Sequence, residues 1–589
     1  MAGFFFFQGP IMSLSRREFL SVLAAAGVNG FPMMRDASAA EVDKLYNPPV
    51  TGNVHFLHMT DSHAHLQPLY FREPNVNIGI GAMNGHLPHL VGANYLKRVG
   101  FKPNTRESYA FTYLDFVRAG KQYGKMGGYA HIATLVKQLR AARPGALLLD
   151  GGDTWQGTGL SLWTKGQDMV DAQLQLGVDV MTAHWEFTYG QDRVKEIVNK
   201  DFKGKIDFVA QNVKTADFGD PVFPNYVMKQ MNGVQVAIIG QAFPYTPIAN
   251  PGYLMPDWTF GIDTDHMQKV VKEVKKKGAQ LVVVISHNGM DVDRKMATLV
   301  EDIDCIFGGH THDGEAVAVE VRRPSGGMTL VTNAGSHGKF LAVMDFDVRG
   351  GKMVSYKYRL LPVFSELLAA DADMNALIKR HRAPYESKMN EVLAHTEGVL
   401  YRRGNFNGTW DQLVVDAMLA VRGGDLAFSP GFRWGGDLLP GAPITREDMM
   451  AQLAITYPYC TLSDMTGETV KAVMEDVCDN LFNPDPYYQQ GGDMVRLGAL
   501  EYSCAPNEKI GNRIQDMRLG GKPLDPKKTY KVAGWAPVQQ ASAIPSNPPI
   551  WDIVEEYLKH NKVIKPLKVN EPKLIGVKGN PGLAQYGRI

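Results

Sequence analysis

Seven side chains able to bind a metal ion occur in order along this chain: Asp61 and His63, Asp153, His184, His287, and the pair His310 and His312. Carboxylate oxygens and neutral imidazole nitrogens are donors for borderline divalent ions such as Mn, Fe or Zn. The set exceeds what a single tetrahedral site can use. It favours a binuclear hydrolytic centre with ions about 3.5–4 Å apart. Asp61-Ser-His63 places two donors at i and i+2, which on an extended backbone share a face. His310-Thr-His312 repeats that spacing and offers one imidazole to each ion. Gly151-Gly152 allow a sharp turn ahead of Asp153, whose two oxygens suit a bridge between the ions. Singly, each fragment is ordinary turn chemistry. Their joint occurrence is what points to a site.

Nearly all of these residues follow a short apolar run that reads as a buried strand. The runs are Val54 to Met59, Ala146 to Leu149, Leu281 to Ile285 and Cys305 to Phe307. In open α/β sheets, ligands bind beyond the carboxyl ends of such strands. From about Val54 to Arg359 these runs alternate with helical patterns such as Gly128 to Arg140 and His266 to Lys277, which implies a layered α/β domain over residues 41–364. Residues 67–125 interrupt the alternation and are too long for an ordinary connection. Their many aromatics, among them Tyr95, Tyr109, Phe111 and Phe116, favour a packed insert over a disordered one. Residues 365–397 read as one linker helix. A second, smaller mixed domain is expected over 398–574, with helices at Trp410 to Arg422 and Thr466 to Phe482, strands at Asp425 to Phe428 and Thr529 to Val532, and a tail at 575–589.

A chain of 589 residues exceeds what one hydrophobic core usually serves. With 62 Lys plus Arg against 61 Asp plus Glu there is no global field to recruit nucleic acid or an anionic membrane, and a monomer is expected. Four cysteines are too few for a disulfide framework: Cys305 reads as core, and a bridge among Cys460, Cys478 and Cys504 stays open. Ser15-Arg-Arg-Glu-Phe-Leu20, the apolar run Ser21 to Val28 and the small residues Ala37-Ser-Ala39 resemble a twin-arginine signal, removed as residues 1–40 on export to the periplasm. No stretch approaches the ~18 apolar residues of a membrane span.

The order Asp61-X-His63, Gly152-Asp153, His287 and Gly309-His310-X-His312 resembles the calcineurin-like metallophosphoesterases of the 5′-nucleotidase branch. Gly431-Phe-Arg433, Leu439-Pro-Gly441, Ile444-Thr445 and Met465-Thr-Gly467 are similar to that branch's C-terminal substrate domain. The resemblance implies a four-layer sandwich of two mixed sheets flanked by helices, followed by a smaller α/β substrate domain. It assigns Asp61, His63, Asp153 and His312 to one ion and Asp153, His287 and His310 to the other.

The third motif departs from that pattern. Where nucleotidases read Gly-Asn-His-Glu-Phe-Asp-Tyr-Gly, this chain reads Ala183-His-Trp-Glu-Phe-Thr-Tyr-Gly190. Aligned without a gap, His184 replaces the liganding Asn and joins the second ion, while Trp185 replaces the histidine that assists phosphate transfer. A rival alignment keeps His184 as the assisting histidine, but needs an insertion and loses a ligand at Ala183. An indole donates one hydrogen bond and cannot act as a general acid. A substrate with a better leaving group than an alkoxide is therefore expected. The aromatic base platform of nucleotidases also looks dismantled, with Gly492-Asp-Met494 and Gly534-Trp-Ala-Pro537 in its places.

Together with the export signal and the insert, these departures resemble the SoxB family of sulfate thiohydrolases. That resemblance implies two manganese ions and, as substrate, an S-sulfonated cysteine on the C-terminal arm of the SoxYZ carrier protein. A hydroxide bridging the ions would attack the sulfonate sulfur, and Arg433, or less directly Arg402 or Arg403, would orient sulfonate oxygens. The alternatives are a periplasmic 5′-nucleotidase or other phosphoesterase, and a non-catalytic binding protein.

Overall fold

The computed structural model describes residues 38–538 and 546–584, so the twin-arginine motif and its apolar run lie outside the described residues. The described residues divide after Pro48 into two units, residues 38–48 and those from Pro49 onward. In the first, the helix Ala39–Tyr46 opens with a reciprocal capping box between Ser38 and Glu41. No described helix is long and apolar enough to cross a membrane.

The second unit begins with twelve strands that build two six-stranded sheets. They are β1 (Val54–Met59), β2 (Leu147–Asp150), β3 (Val180–Met181), β4 (Asp207–Phe208), β5 (Tyr226–Met231) and β6 (Val234–Gln241), then β7 (Leu281–Ser286), β8 (Cys305–Gly308), β9 (Val319–Arg322), β10 (Met328–Asn333), β11 (Phe340–Arg349) and β12 (Lys352–Pro362). One sheet runs β12-β11-β1-β2-β3-β4, the other β9-β10-β8-β7-β6-β5. Both are mixed: β1 is parallel to β2 and antiparallel to β11, while β7 is parallel to β8 and β5 antiparallel to β6.

Central strands buried on both faces read as continuous apolar runs, which is why β1 and β7 show no alternation. Phe56, Leu149, Val283, Phe307 and Met344 interdigitate between the sheets. On the outer face of the second sheet, Val282, Val284 and Ile306 pack against the apolar stripe Met267-Val270-Val271-Val274 of the helix Thr264–Lys276. Full burial of each such side chain contributes roughly 1.5–3 kcal/mol. At the opposite end from the candidate site, Asp345 of β11 accepts from Arg143 (Nε 2.8 Å, Nη2 3.0 Å) and lies 2.8 Å from His55 Nδ1 of the facing β1.

Residues 67–125 form a packed excursion with helices Gly92–Val99, Arg106–Phe111 and Phe116–Tyr123, and Tyr95, Tyr109, Phe111 and Phe116 are buried. It is locked to the scaffold by a buried ion pair from Lys339 to Glu73 (2.6 Å) and by the Tyr95 hydroxyl donating to the Gly314 carbonyl (2.7 Å).

Segment 365–397 is not one helix. After helices Ala372–Arg382 and Glu386–Met389 the chain forms the strand Val392–Thr396, paired with Pro443–Thr445 and Val563–Ile564. Its partners lie far along the chain, so the local sequence gives no sign of the pairing. Beyond it, a four-stranded sheet runs Cys460–Thr466, Thr529–Trp535, Leu426–Gly431, Asp493–Gly498, covered by helices that include Thr409–Ala417 and Gly467–Phe482. All four cysteines are buried and free.

Candidate dimetal centre

The loops leaving β1 and β2 lie side by side. The backbone N–H groups of Asp61, His63 and Ala64 donate to the carbonyls of Gly152, Asp153 and Thr154 at 2.8–3.0 Å. The spacing argument from extended backbone does not hold here, because five of the seven ligand candidates sit in the left-handed region. Their φ values are 52° at Asp61, 43° at His63, 57° at Asp153, 72° at His310 and 59° at His312. Side chains at i and i+2 converge because the chain curls around the site. A non-glycine residue costs about 1–3 kcal/mol in such a conformation and persists only where its surroundings impose it. Gly309 must lack a side chain: a Cβ there would lie 2.4 Å from Thr60 Oγ1 and 3.1 Å from His287 Nδ1.

All seven candidates are buried and fall into two groups that share Asp153: Asp61, His63, Asp153 and His312, and Asp153, His184, His287 and His310. Within each group the donor atoms lie within 4.8 Å of one another. Asp153 Oδ2 is 3.5 Å from His63 Nε2, 3.2 Å from His184 Nδ1 and 3.0 Å from His287 Nε2. His312 Nε2 is 3.2 Å from Asp61 Oδ1. Carbonyls fix the tautomers: His63 Nδ1 faces Gln156 O (3.1 Å), His287 Nδ1 faces Gly151 O (2.6 Å) and His310 Nε2 faces Gln490 O (3.2 Å). The other nitrogen of each ring is then left as the lone-pair donor, the usual outer support of a metal-binding histidine.

This donor set fits a pair of divalent ions. His63 Nε2 and His312 Nε2 stand 3.0 Å apart in a buried space, and with His312 Nδ1 unpartnered either ring can turn a lone pair toward an ion there. Burial pushes the Asp61 carboxyl up to about 8, against the pull of His287. At Asp153 burial acts in the same direction but is outweighed by His184, His287 and His63, which hold it well below the usual carboxylate range. Burial drives His184 down to about 4 and lowers His63, His310 and His312. Only His287, opposed by burial, is held up to about 10 by Asp153 and Asp61. Without ions the cluster balances itself with protons, on His287 beside the ionised Asp153 and on Asp61; divalent ions would displace those protons and leave a set of lone-pair donors.

Glu186 served in the sequence only to align a motif, yet here it clamps the centre. Its carboxylate accepts from the backbone N–H groups of His184 (2.8 Å), Asp153 (3.2 Å), Thr154 (2.5 Å) and Trp155 (3.4 Å). Trp185 fixes Asp153 through its main chain, N–H to Oδ1 at 2.8 Å. Its buried indole joins an aromatic wall with Phe432 (5.4 Å), Trp434 (4.8 Å) and Tyr457 (6.2 Å between centroids). Phe243 packs against His184 and His310 at 3.9 and 4.3 Å.

The arginines divide. Arg433 stands beside the second group, donating to the His310 carbonyl (3.2 Å) and to the Gly492 carbonyl, with Asp493 3.5 Å from its Nε. Arg403 donates to the Thr311 carbonyl at 3.4 Å. Arg402 cannot take the orienting role considered for it, because it is buried on the carbonyls of Trp434 (3.1 Å) and Gln452 (2.9 Å) and paired with Asp411 (3.0 Å). Trp535, in the segment compared above with the nucleotidase base platform, is buried, donates to Ser429 Oγ (2.7 Å) and lies 5.4 Å from Phe432. A narrow opening of about 60 Å³ reaches His310, Arg403 and Arg433 between the insert (Ile78, His89) and Gly491.

Comparison with known proteins agrees with this architecture. Residues 392–540 match the 5′-nucleotidase C-terminal domain. The 5′-nucleotidase of Rattus norvegicus is 24% identical over 69% of this chain and 76% of its own length. Among solved structures, the sulfate thiohydrolase SoxB of Thermus thermophilus, in complex with glycerol, is 34% identical with a TM-score of 0.84, covering 90% of this chain and 98% of that one. A 5′-nucleotidase precursor, also from Thermus thermophilus, shares the fold at 20% identity, with a TM-score of 0.70 over 89% of this chain and 99% of its own.

Proposed function

Because the chain belongs to the SoxB family, within the 5′-nucleotidase branch of the metallophosphoesterases, we propose that it is a periplasmic thiosulfohydrolase. It releases sulfate from an S-sulfonated or S-thiosulfonated cysteine on the SoxYZ carrier. The observation that carries this reading is Trp185: its backbone N–H holds Asp153 while its indole packs against Phe432 and Trp434, at the motif position where nucleotidases carry a histidine. When bound, two divalent ions, manganese by family resemblance, would supply a nucleophile from water at neutral pH and offset charge gathering on the sulfonate oxygens.

The chain's own residues do the rest. Asp153, shared between the two groups, fixes their separation. The wall of Trp185, Phe432, Trp434 and Tyr457 excludes bulk water. Cleavage breaks the bond from the sulfonate sulfur to the sulfane sulfur, and the electron pair stays on the latter. That leaving group is a stabilised anion, so no acid is required. Arg433 and Arg403, which line the opening, suit sulfonate oxygens.

The test is incubation of the metal-loaded protein with S-sulfonated carrier and measurement of sulfate; release no faster than background overturns the reading. Metal analysis of that sample checks for manganese. A second reading as a phosphoesterase draws on the retained ligand set and the nucleotidase relatives. Turnover of AMP or a UDP-sugar, abolished in Asp153→Asn, would favour it. The insert is the proposed docking wall for the carrier: reversing charge at exposed Lys97 and Arg98 should raise KM for the carrier with metal content unchanged. Export is checked by Arg16→Lys with Arg17→Lys, which should hold the precursor in the cytoplasm.

A further inference from the structure

Residues 433–437 form a strap across the centre, and almost every polar group in it has a partner. Arg433 donates to the His310 and Gly492 carbonyls. The Trp434 carbonyl accepts from Arg402 at 3.1 Å, and Gly435 N–H donates to His337 Nε2 at 3.1 Å. Gly436 O accepts from Trp410 Nε1 (3.1 Å) and Gln452 Nε2 (2.8 Å), while Asp437 accepts from Arg72 N–H and its own N–H donates to Tyr70 O.

The indole N–H of Trp434 is an exception. It is buried with no acceptor, in a side chain only 2% exposed. Leaving a buried N–H unmade costs about 1–3 kcal/mol; within the strap Arg433 Nε shares that condition but has Asp493 3.5 Å away. The ring lies stacked on the imidazole of His63 (5.3 Å between centroids) and edge-on to Trp185 at 4.8 Å. The Trp185 indole, in a residue 6% exposed, also makes no hydrogen bond among the described residues, though its nitrogen is not one of the buried unpartnered atoms.

We propose that Trp434 and Trp185 form a neutral, donor-only cradle for a tetrahedral oxyanion, with Trp434 as an oxyanion-binding residue. An indole donates and never accepts. Such a pair therefore suits a fully ionised, acceptor-only group such as a sulfonate or sulfate, and adds no positive charge that would repel the ions. The identification with sulfonate rests on the thiosulfohydrolase reading; the binding of an oxyanion does not.

The experiment uses zinc-loaded, diamagnetic protein carrying ¹⁵N-tryptophan. The Trp434 indole resonance is assigned by its absence in Trp434→Phe or, should that variant fail to fold, by its broadening when manganese replaces zinc. Titrating sulfate against chloride at matched ionic strength should move this resonance downfield. Trp434→Phe should weaken sulfate inhibition and lower kcat/KM for the carrier about tenfold or more, with two ions per chain retained. An indole that stays still while other site resonances respond to sulfate overturns the proposal, as does unchanged inhibition in Trp434→Phe. If the indole responds but the carrier yields no sulfate, the cradle stands and the thiosulfohydrolase reading falls.

Discussion

Replacing Glu186 by Gln tests whether the centre is held from behind. The carboxylate is fully buried, and its two oxygens share four backbone N–H donors, Oε2 serving His184 and Asp153, Oε1 serving Thr154 and Trp155. A glutamine keeps one acceptor oxygen and turns an NH₂ group toward the donors of the other. If the amide keeps its oxygen on Thr154, the N–H groups of His184 and Asp153 lose their acceptor. Each unmade buried bond costs about 1–3 kcal/mol, so a loss of about 2–4 kcal/mol is expected, less than the sum because the loop relaxes. Both affected residues are ligand candidates, and loss of such outer support typically weakens metal binding by about 10–100-fold. Urea unfolding followed by tryptophan fluorescence, with metal analysis after dialysis against a graded chelator, reads both quantities. A variant with unchanged midpoint and unchanged metal retention would refute the idea that these four hydrogen bonds shape the cages.

Asp153→Asn should strip both ions, because the residue belongs to both donor groups, whereas His184→Ala should lose chiefly one; metal analysis on the purified chains separates the outcomes. Gly309→Ala drives a methyl group to 2.4 Å from Thr60 Oγ1, and should abolish metal retention while far-ultraviolet circular dichroism stays native. Lys339→Met leaves Glu73 buried without its cation, which should cost about 3–5 kcal/mol and speed proteolytic nicking within 67–125, with the ions retained. Asp345 titrates below the ordinary range: burial opposes this, but hydrogen bonds from His55 and Arg143 prevail. A depressed carboxyl stabilises the fold above its unfolded value and loses that contribution as pH falls through its folded value. The penalty of Asp345→Asn, about 3–5 kcal/mol near neutrality, should therefore shrink below about pH 4; a penalty independent of pH would contradict the pairing.

The ligands were legible because each follows a strand whose apolar run is local and continuous. β1, β2, β7 and β8 end within a few residues of Asp61, Asp153, His287 and His310. The direction in which those side chains point was not legible, since left-handed backbone at Asp61 and His63 is imposed by the neighbouring loop after β2, far along the chain. Glu186 gave a weak signal, an acidic residue two positions past His184 in an apolar setting, and only the fold shows that its neighbours are the Asp153 loop. Arg402 and Arg403 are adjacent in sequence and differ only in which way they face, so composition could not separate them. The aromatic insert announced its packing. The strand Val392–Thr396 did not, because five residues inside a charged stretch carry no periodicity.

The left-handed turns at five ligand positions set backbone strain against packing and metal binding. Without ions, each of those side chains holds a conformation that glycine would adopt without strain, at a cost of about 1–3 kcal/mol apiece. At His63 the strain that glycine would relieve is set against a buried ring stacked on Trp434, whose removal costs roughly 2–5 kcal/mol, so packing in the metal-free chain and metal binding in the loaded one hold the same residue in place.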